Sequence, residues 1–295
     1  MELVKKTFGR FPASGKSGNP RIMIVGIHWA GKNFRSSGQK DAPDYLRDYS
    51  QRYFFDRVDP FDAGTGAKIS RERVADMGNI RLRSGKPSAA ITDEIKKIIG
   101  NDAVPLIMGG DHSISYPVLR SYEKFKRIIL INFDAHLDYK EEDEIRGDTV
   151  MYNISKLDNV ACILNIGTRG VVAEKHFKLA KRNRKIKILA RLENIDKTLA
   201  ELAKKIRPDG VYISLDIDAL DPSIAPGTAY AEPGGLTYGQ VKMIMESIAK
   251  KFKMIGMDVV EVNPALDFGN LTAGSAVRVM MDFIFMESKY EKSRH

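Results

Sequence analysis

The sequence predicts an α/β fold with a mostly parallel central sheet, and three observations carry that reading. Short, nearly continuous runs of Val, Ile, Leu and Met recur along the chain, as strands covered on both faces require. Amphipathic segments of helical period lie between them. The alternation runs through 295 residues with no Pro/Ser/Gly-rich linker, internal repeat or low-complexity block to divide it.

The strand runs are 21–26, 104–108, 127–133, 159–166, 185–189, 210–215 and 254–260. Helices are expected at 91–99 after Ser88, at 114–124 after a GGDHS turn, at 196–207, and at 237–251 with Thr237 as its cap. The loop 32–39 and the acidic run 141–144 read as irregular insertions. Residues 1–20 read as a basic N-terminal tail and 21–288 as a single catalytic domain.

Composition narrows the function classes. Hydrophobic residues make up 43% of the chain, enough for a sizeable core. No run approaches the roughly 18 apolar residues of a membrane helix, and the N-terminus lacks the apolar stretch of a signal peptide. The one cysteine, Cys162, excludes a disulfide framework, so a cytoplasmic location is expected. The formal charge is +9, with 47 basic against 38 acidic residues. The basic residues are spread over helix-like stretches such as 174–187 and 197–207 and form no cluster, which argues against nucleic acid as a partner.

Three polar clusters follow three of the strands. They are Gly109-Gly110-Asp111-His112-Ser113, Asp134-Ala135-His136-Leu137-Asp138 and Asp216-Ile217-Asp218-Ala219-Leu220-Asp221-Pro222. Asp134, His136 and Asp138 are spaced two apart, as are Asp216 and Asp218, which in extended chain puts each set on one face. A lone Asp at a strand end is a turn former or a cap. Three clusters beyond the carboxyl ends of parallel strands, where open α/β sheets bind ligands, need a further reason. Four carboxylates converging at about 4 Å repel by roughly 4 kcal/mol per pair at an effective dielectric of about 20. Divalent cations remove that cost. Two His with four Asp are too nitrogen-rich for calcium, and no thiolate offers a structural zinc site. The donor set suits Mn²⁺, with Ni²⁺, Co²⁺ or Fe²⁺ as alternatives. Six ligands imply a bridged pair of ions, about 3.5–4 Å apart, that makes hydroxide from water at neutral pH.

GGDHS, FDAHLD and SLDIDALDPSIAPGT together resemble the three signatures of the ureohydrolase family: arginases, agmatinases, guanidinobutyrases and formimidoylglutamases. The resemblance runs from about residue 20 to 285 and takes in Val25-Gly26-Ile27, Asp76-Met77-Gly78-Asn79-Ile80, Ile166-Gly167-Thr168-Arg169-Gly170, Glu232-Pro233-Gly234-Gly235-Leu236 and Glu261-Val262-Asn263-Pro264. It implies a three-layer α/β/α, arginase-like fold. It implies that His112, Asp134, His136, Asp138, Asp216 and Asp218 hold two Mn²⁺ per chain, with Asp134 and Asp216 bridging. It implies that Glu261 faces the substrate guanidinium, a group a carboxylate pairs with bidentately. A homotrimer or homohexamer is the implied assembly. Asp221-Pro222 reads as a structural turn.

One element of the family pattern is missing. The family carries a proton-shuttling His shortly after its DAHxD motif, whereas here the segment reads Arg146-Gly147-Asp148-Thr149-Val150-Met151 and no His lies between His136 and His176. Asp148, with a pKa raised by burial, is one candidate for the acid, and His28, in the exit loop of the first strand, is another. The acidic run after Tyr139 suits a cationic tail, which makes agmatine, hydrolysed to urea and putrescine, the first choice of substrate. Arginine is the runner-up. Guanidinobutyrate and formimidoylglutamate remain open, because Arg146 and Arg169 offer partners to a carboxylate. A metal-binding relative without activity, an RNA-binding protein and a single-zinc deacetylase are the competing classes, and the six-residue ligand set argues against the last.

Overall fold

The computed structural model describes residues 1–2, 4–13, 18–30, 38–53, 58–82, 87–189 and 192–291. Positions 32–37 of the expected insertion lie outside them.

Eight strands form one sheet. In chain order they are β1 (Ile22–Gly26), β4 (Val74–Asn79), β5 (Val104–Met108), β6 (Ile128–Phe133), β7 (Val160–Ile166), β8 (Ile186–Leu189), β9 (Gly210–Asp216) and β10 (Met254–Val260). The short strands β2 (Phe61–Asp62) and β3 (Ala67–Lys68) pair separately as an antiparallel hairpin. The order across the main sheet is β4-β1-β5-β10-β9-β6-β7-β8, and every neighbouring pair is parallel. Register is set in the centre, where Ile213 of β9 lies opposite Ile131 on one side and Met257 on the other.

Successive side chains of a strand point to opposite faces, and each face buries its own core. Ile129, Ile131 and Phe133 join Leu164, Ile213 and Leu215 on one side. Ile128 and Leu130 join Ile107, Ile163 and Tyr212 on the other. The first face is covered by α1 (Ala42–Ser50), α6 (Ile195–Ile206), α7 (Tyr238–Lys251) and α8 (Leu271–Tyr290). The second is covered by α2 (Pro87–Gly100), α3 (Ser115–Arg120), α4 (Val150–Ile154) and α5 (Glu174–Arg182). The result is the three-layer architecture expected.

All seven apolar runs are strands, and Thr237 caps α7 with a capping box to Gln240. The helix expected at 114–124 is shorter: a turn over His112–Ile114 leads into α3, which ends at Arg120. The eighth strand, β4, carries the buried polar residues Asp76 and Asn79. Arg47 of α1, itself 1% exposed, satisfies both, 2.9 Å from Asp76 and 2.6 Å from Asn79. The basic N-terminal stretch packs onto this same edge: Phe8 and Phe11 are buried in the core, and the Phe8 N–H donates to Asp76. Among the described residues, no helix is long and apolar enough to cross a membrane.

Candidate metal centre

The four strands β5, β10, β9 and β6 are consecutive in the sheet and parallel, so their carboxyl ends meet along one stretch of edge. That stretch receives all the polar clusters. His112 follows β5, Asp134, His136 and Asp138 follow β6, Asp216 ends β9 with Asp218 two residues on, and Glu261 follows β10. Two glycines make the assembly possible. A Cβ on Gly110 would lie 1.5 Å from the Trp29 carbonyl oxygen, and one on Gly170 would lie 2.8 Å from Cδ2 of the His136 ring.

Two groups of donor atoms result. His112, Asp134, Asp138 and Asp216 form one, and Asp134, His136 and Asp218 form the other, with the atoms of each within 4.8 Å of one another. Asp134 belongs to both groups, Asp216 only to the first. Backbone amides hold the carboxylates in place: Asp134 accepts from the His136 N–H at 2.6 Å, Asp216 from the Asp218 N–H at 3.0 Å, and Asp218 from the Ala135 N–H at 3.0 Å. Asp111 instead caps the turn over His112–Ile114. Asp138 and Glu261 both have left-handed backbones, φ 46° and 62°. Such conformations cost non-glycine residues about 1–3 kcal/mol and cluster at functional sites.

The orientation of His112 tests whether a cation fits. Ser214 Oγ donates to Asp258 at 2.6 Å, so it is left to accept from His112 Nε2 at 3.1 Å. Ser115 and Tyr212 also donate to Asp258 and complete its surroundings. With Nε2 as donor, Nδ1 of the neutral ring presents a lone pair. It lies 3.4, 3.1 and 3.2 Å from carboxylate oxygens of Asp134, Asp138 and Asp216, is buried, and makes no hydrogen bond. A lone pair facing three carboxylates is repulsive unless a proton or a metal ion lies between them.

The charge states agree. Burial, then the charges of Asp138, Asp218 and Asp216, push Asp134 well above the usual carboxylate range. Burial and the neighbouring Asp218, opposed by His112, raise Asp216 to about 7. Burial pulls His136 down, but the hydrogen bond to Asp218 and the surrounding carboxylates hold it at about 9. Without cations the cluster retains protons at neutral pH, and the donor set fits divalent ions that would displace them.

A cavity of about 810 Å³ opens over both groups. Asp138, Asp216, Asp218 and Glu261 reach its floor, and Leu137, Tyr139, Val171, Val172 and Tyr230 form apolar wall. Glu261 is 8% exposed. Its carboxylate accepts from the His112 N–H at 2.9 Å and from the Gln39 amide at 2.8 Å. Burial, then the charges of Asp216 and Asp111, raise its pKa well above the usual value.

Asp148 lines this cavity too, but its side chain is 50% exposed. It accepts from Arg146 at 3.0 Å, and Lys140 lies 3.8 Å away. The burial invoked to raise its pKa is therefore absent. His28 is not among the described residues that line the cavity, and its Nε2 lies 3.5 Å from Asp44. Of the two arginines offered to a substrate carboxylate, Arg146 donates to Glu142, Glu144 and Asp148. Arg169 is committed to six backbone carbonyls: Gly167, Asp218, Ala219, Leu220, Glu232 and Pro233. It ties the Asp218 segment to the 232–233 loop, which brings Glu232 within 3.7 Å of His136 Nε2. Asp221 accepts from the amides of Ser223 and Gly235, a turn as expected. The supporting residues Ser214, Asp258 and Arg169 are not legible as such in the sequence, since two sit within strands and the third bonds only to backbone.

The sequence pattern of the arginase family matches residues 20–286. A guanidinopropionase of Pseudomonas aeruginosa is 26% identical over an alignment 300 positions long, gaps included, that covers 94% of this chain and 90% of that protein. An agmatinase of Bacillus subtilis is 32% identical over 220 residues, 72% of this chain and 75% of that one. A solved structure described as a hypothetical agmatinase from Burkholderia thailandensis superposes with a TM-score of 0.82 at 26% identity, covering 97% of this chain and 91% of its own.

Proposed function

Because the chain belongs to the arginase family of hydrolases, we propose that it releases urea from a small guanidino compound, with agmatine as the preferred substrate and putrescine as the other product. The observation that carries this reading is the pair of donor groups sharing Asp134 on the floor of a cavity that also holds the Glu261 carboxylate. In this reading His112, Asp134, Asp138 and Asp216 would hold one Mn²⁺, and Asp134, His136 and Asp218 would hold the other. When bound, such a pair supplies positive charge and lowers the pKa of water at the site. Residues 21–288 act as one catalytic domain, in a cytoplasmic homotrimer or homohexamer.

The remaining steps belong to side chains. Glu261 binds the guanidinium: each of its oxygens accepts one hydrogen bond and keeps a second lone pair for the substrate. Leu137, Tyr139 and Tyr230 keep solvent from the carbon under attack. At the mouth, Glu142, Glu144 and Asp148 outnumber the Lys140 and Arg146 that pair with them, leaving one negative charge in excess for an ammonium tail. The carboxylates are nonetheless paired, so the preference for a cationic tail is modest. The breadth of the match to a guanidinopropionase favours a guanidino acid as the second reading. Urea release with added Mn²⁺ from agmatine, arginine, guanidinobutyrate, guanidinopropionate and free guanidine tests both. Agmatine is expected to give the highest kcat/KM, a guanidino acid in first place supports the second reading, and no urea from any of them removes the proposal.

A further inference from the structure

Hydrolysis of an alkylguanidine needs a proton at the departing nitrogen, because an alkylamide anion does not leave in water. The segment after Asp138 lacks the histidine the family resemblance leads one to expect, and its Asp148 is paired with Arg146. His176 lines the same cavity as Asp138, Asp216, Asp218 and Glu261. It sits in the first turn of α5, and with Leu179 and Ala180, three and four residues on, it shares the face of the helix turned toward the body. Its ring is half-buried and, among the described residues, makes no hydrogen bond or ion pair.

The other titratable groups of the described wall are engaged. Lys140, Glu144, Arg146 and Asp148 share one ion-pair network. The Tyr139 hydroxyl is bonded to Ser155 and Asn183. The Tyr230 ring packs edge-on against His136, with centroids 6.2 Å apart. Imidazole is the side chain that ordinarily takes up and releases protons between about pH 5 and 8.

We propose that His176 donates the proton to the departing amine, filling the role of the missing histidine; this rests on the guanidino-hydrolase reading above. Water adds its oxygen to the guanidino carbon, and the bond from that carbon to the alkyl-bearing nitrogen breaks with its electron pair going to nitrogen. The imidazolium of His176 gives that nitrogen a proton, directly or through one solvent molecule. The neutral ring then recovers a proton originating from the attacking water. The sum is alkylguanidinium plus water giving urea and alkylammonium, with no other reactant.

The test uses the Mn²⁺-loaded full chain and agmatine, or whichever guanidino compound the wild type turns over. His176→Ala is expected to lower kcat by about 10²- to 10⁴-fold, the usual worth of general acid catalysis. KM and metal content should stay near wild type. Added imidazole should restore part of the rate to the variant and none to the wild type. Asp148→Asn and His28→Ala should each slow turnover less. Retention of kcat within about threefold of wild type, a larger loss in Asp148→Asn or His28→Ala, or a loss that imidazole does not restore would each overturn the assignment. A wild type that releases no urea would instead remove the function reading on which it rests.

Discussion

Two acidic regions lie within one cavity, and they are in opposite electrostatic states. On the floor, Asp134, Asp216 and Asp218 are buried, with side chains 0–4% exposed, and their nearest partners are histidines and one another. At the mouth, Glu142, Glu144 and Asp148 are 39–60% exposed and are bound by Arg146 and Lys140. Exposed carboxylates with cations of their own need nothing further. Buried ones with too few cations need an ion from outside, because the protein interior screens their repulsion weakly. Acidic composition alone does not distinguish the two regions; burial and the supply of positive side chains do.

Breaking the floor should have the largest effect. Asp134 is common to both donor groups, so Asp134→Asn is expected to reduce bound Mn²⁺ from two ions to fewer than one, by metal analysis, and urea release to background. Retention of one ion at full affinity would contradict the shared role. Glu261→Gln should come next: turnover lost by about 10²- to 10³-fold, the size of a single preorganised electrostatic contact, with metal content near normal. Unchanged activity would remove Glu261 from the site.

Strand positions were legible in the sequence because strands buried on both faces are apolar throughout. β4 was not, because its Asp76 and Asn79 are satisfied by Arg47 from a helix some thirty residues earlier, a long-range partner no local pattern reveals. α8 escaped for the opposite reason. Residues 276–287 of this helix are buried on nearly every side, so it lacks the polar stripe that marks a surface helix. The six His and Asp that converge were legible because they cluster directly after apolar strands. The extended geometry expected from their spacing is not what brings them together, since Ile217–Ala219 form a tight turn and Asp138 has a left-handed backbone, which divides each spaced set between the two donor groups. The state of the acidic run was not: sequence shows its charge, but only the fold shows that Arg146 turns back onto Glu142, Glu144 and Asp148 at once. Phe8 and Phe11 lie in a stretch whose basic composition hid two core residues.

The next effect in size sharpens the comparison from beneath the floor. Ser214→Ala removes the acceptor of His112 Nε2 and one donor to Asp258. It is expected to weaken Mn²⁺ binding by about 10- to 100-fold, the usual cost of losing such an outer partner, measured by titration against a competing chelator. Wild-type affinity would show that Ser214 does not orient the ring. The mouth should respond least. Arg146→Ala frees three carboxylates, so KM for agmatine is expected to fall and KM for guanidinobutyrate to rise, each by a few-fold. Stability should change by no more than about 1 kcal/mol, since partly exposed pairs contribute little. A loss of metal in this variant would mean that mouth and floor are not the separate systems described here.

That the floor requires cations is tested by counting the Mn²⁺ ions bound and the protons released by the purified chain. Asp216 at about 7 and His136 at about 9 hold protons at neutral pH that ligation must remove. Binding should therefore weaken as pH falls from 8 to 6 and release fewer protons at pH 9.5 than at pH 7. Two ions per chain are expected, with protons expelled at pH 7. Binding of one ion or none, or of two with no protons released, would contradict that requirement.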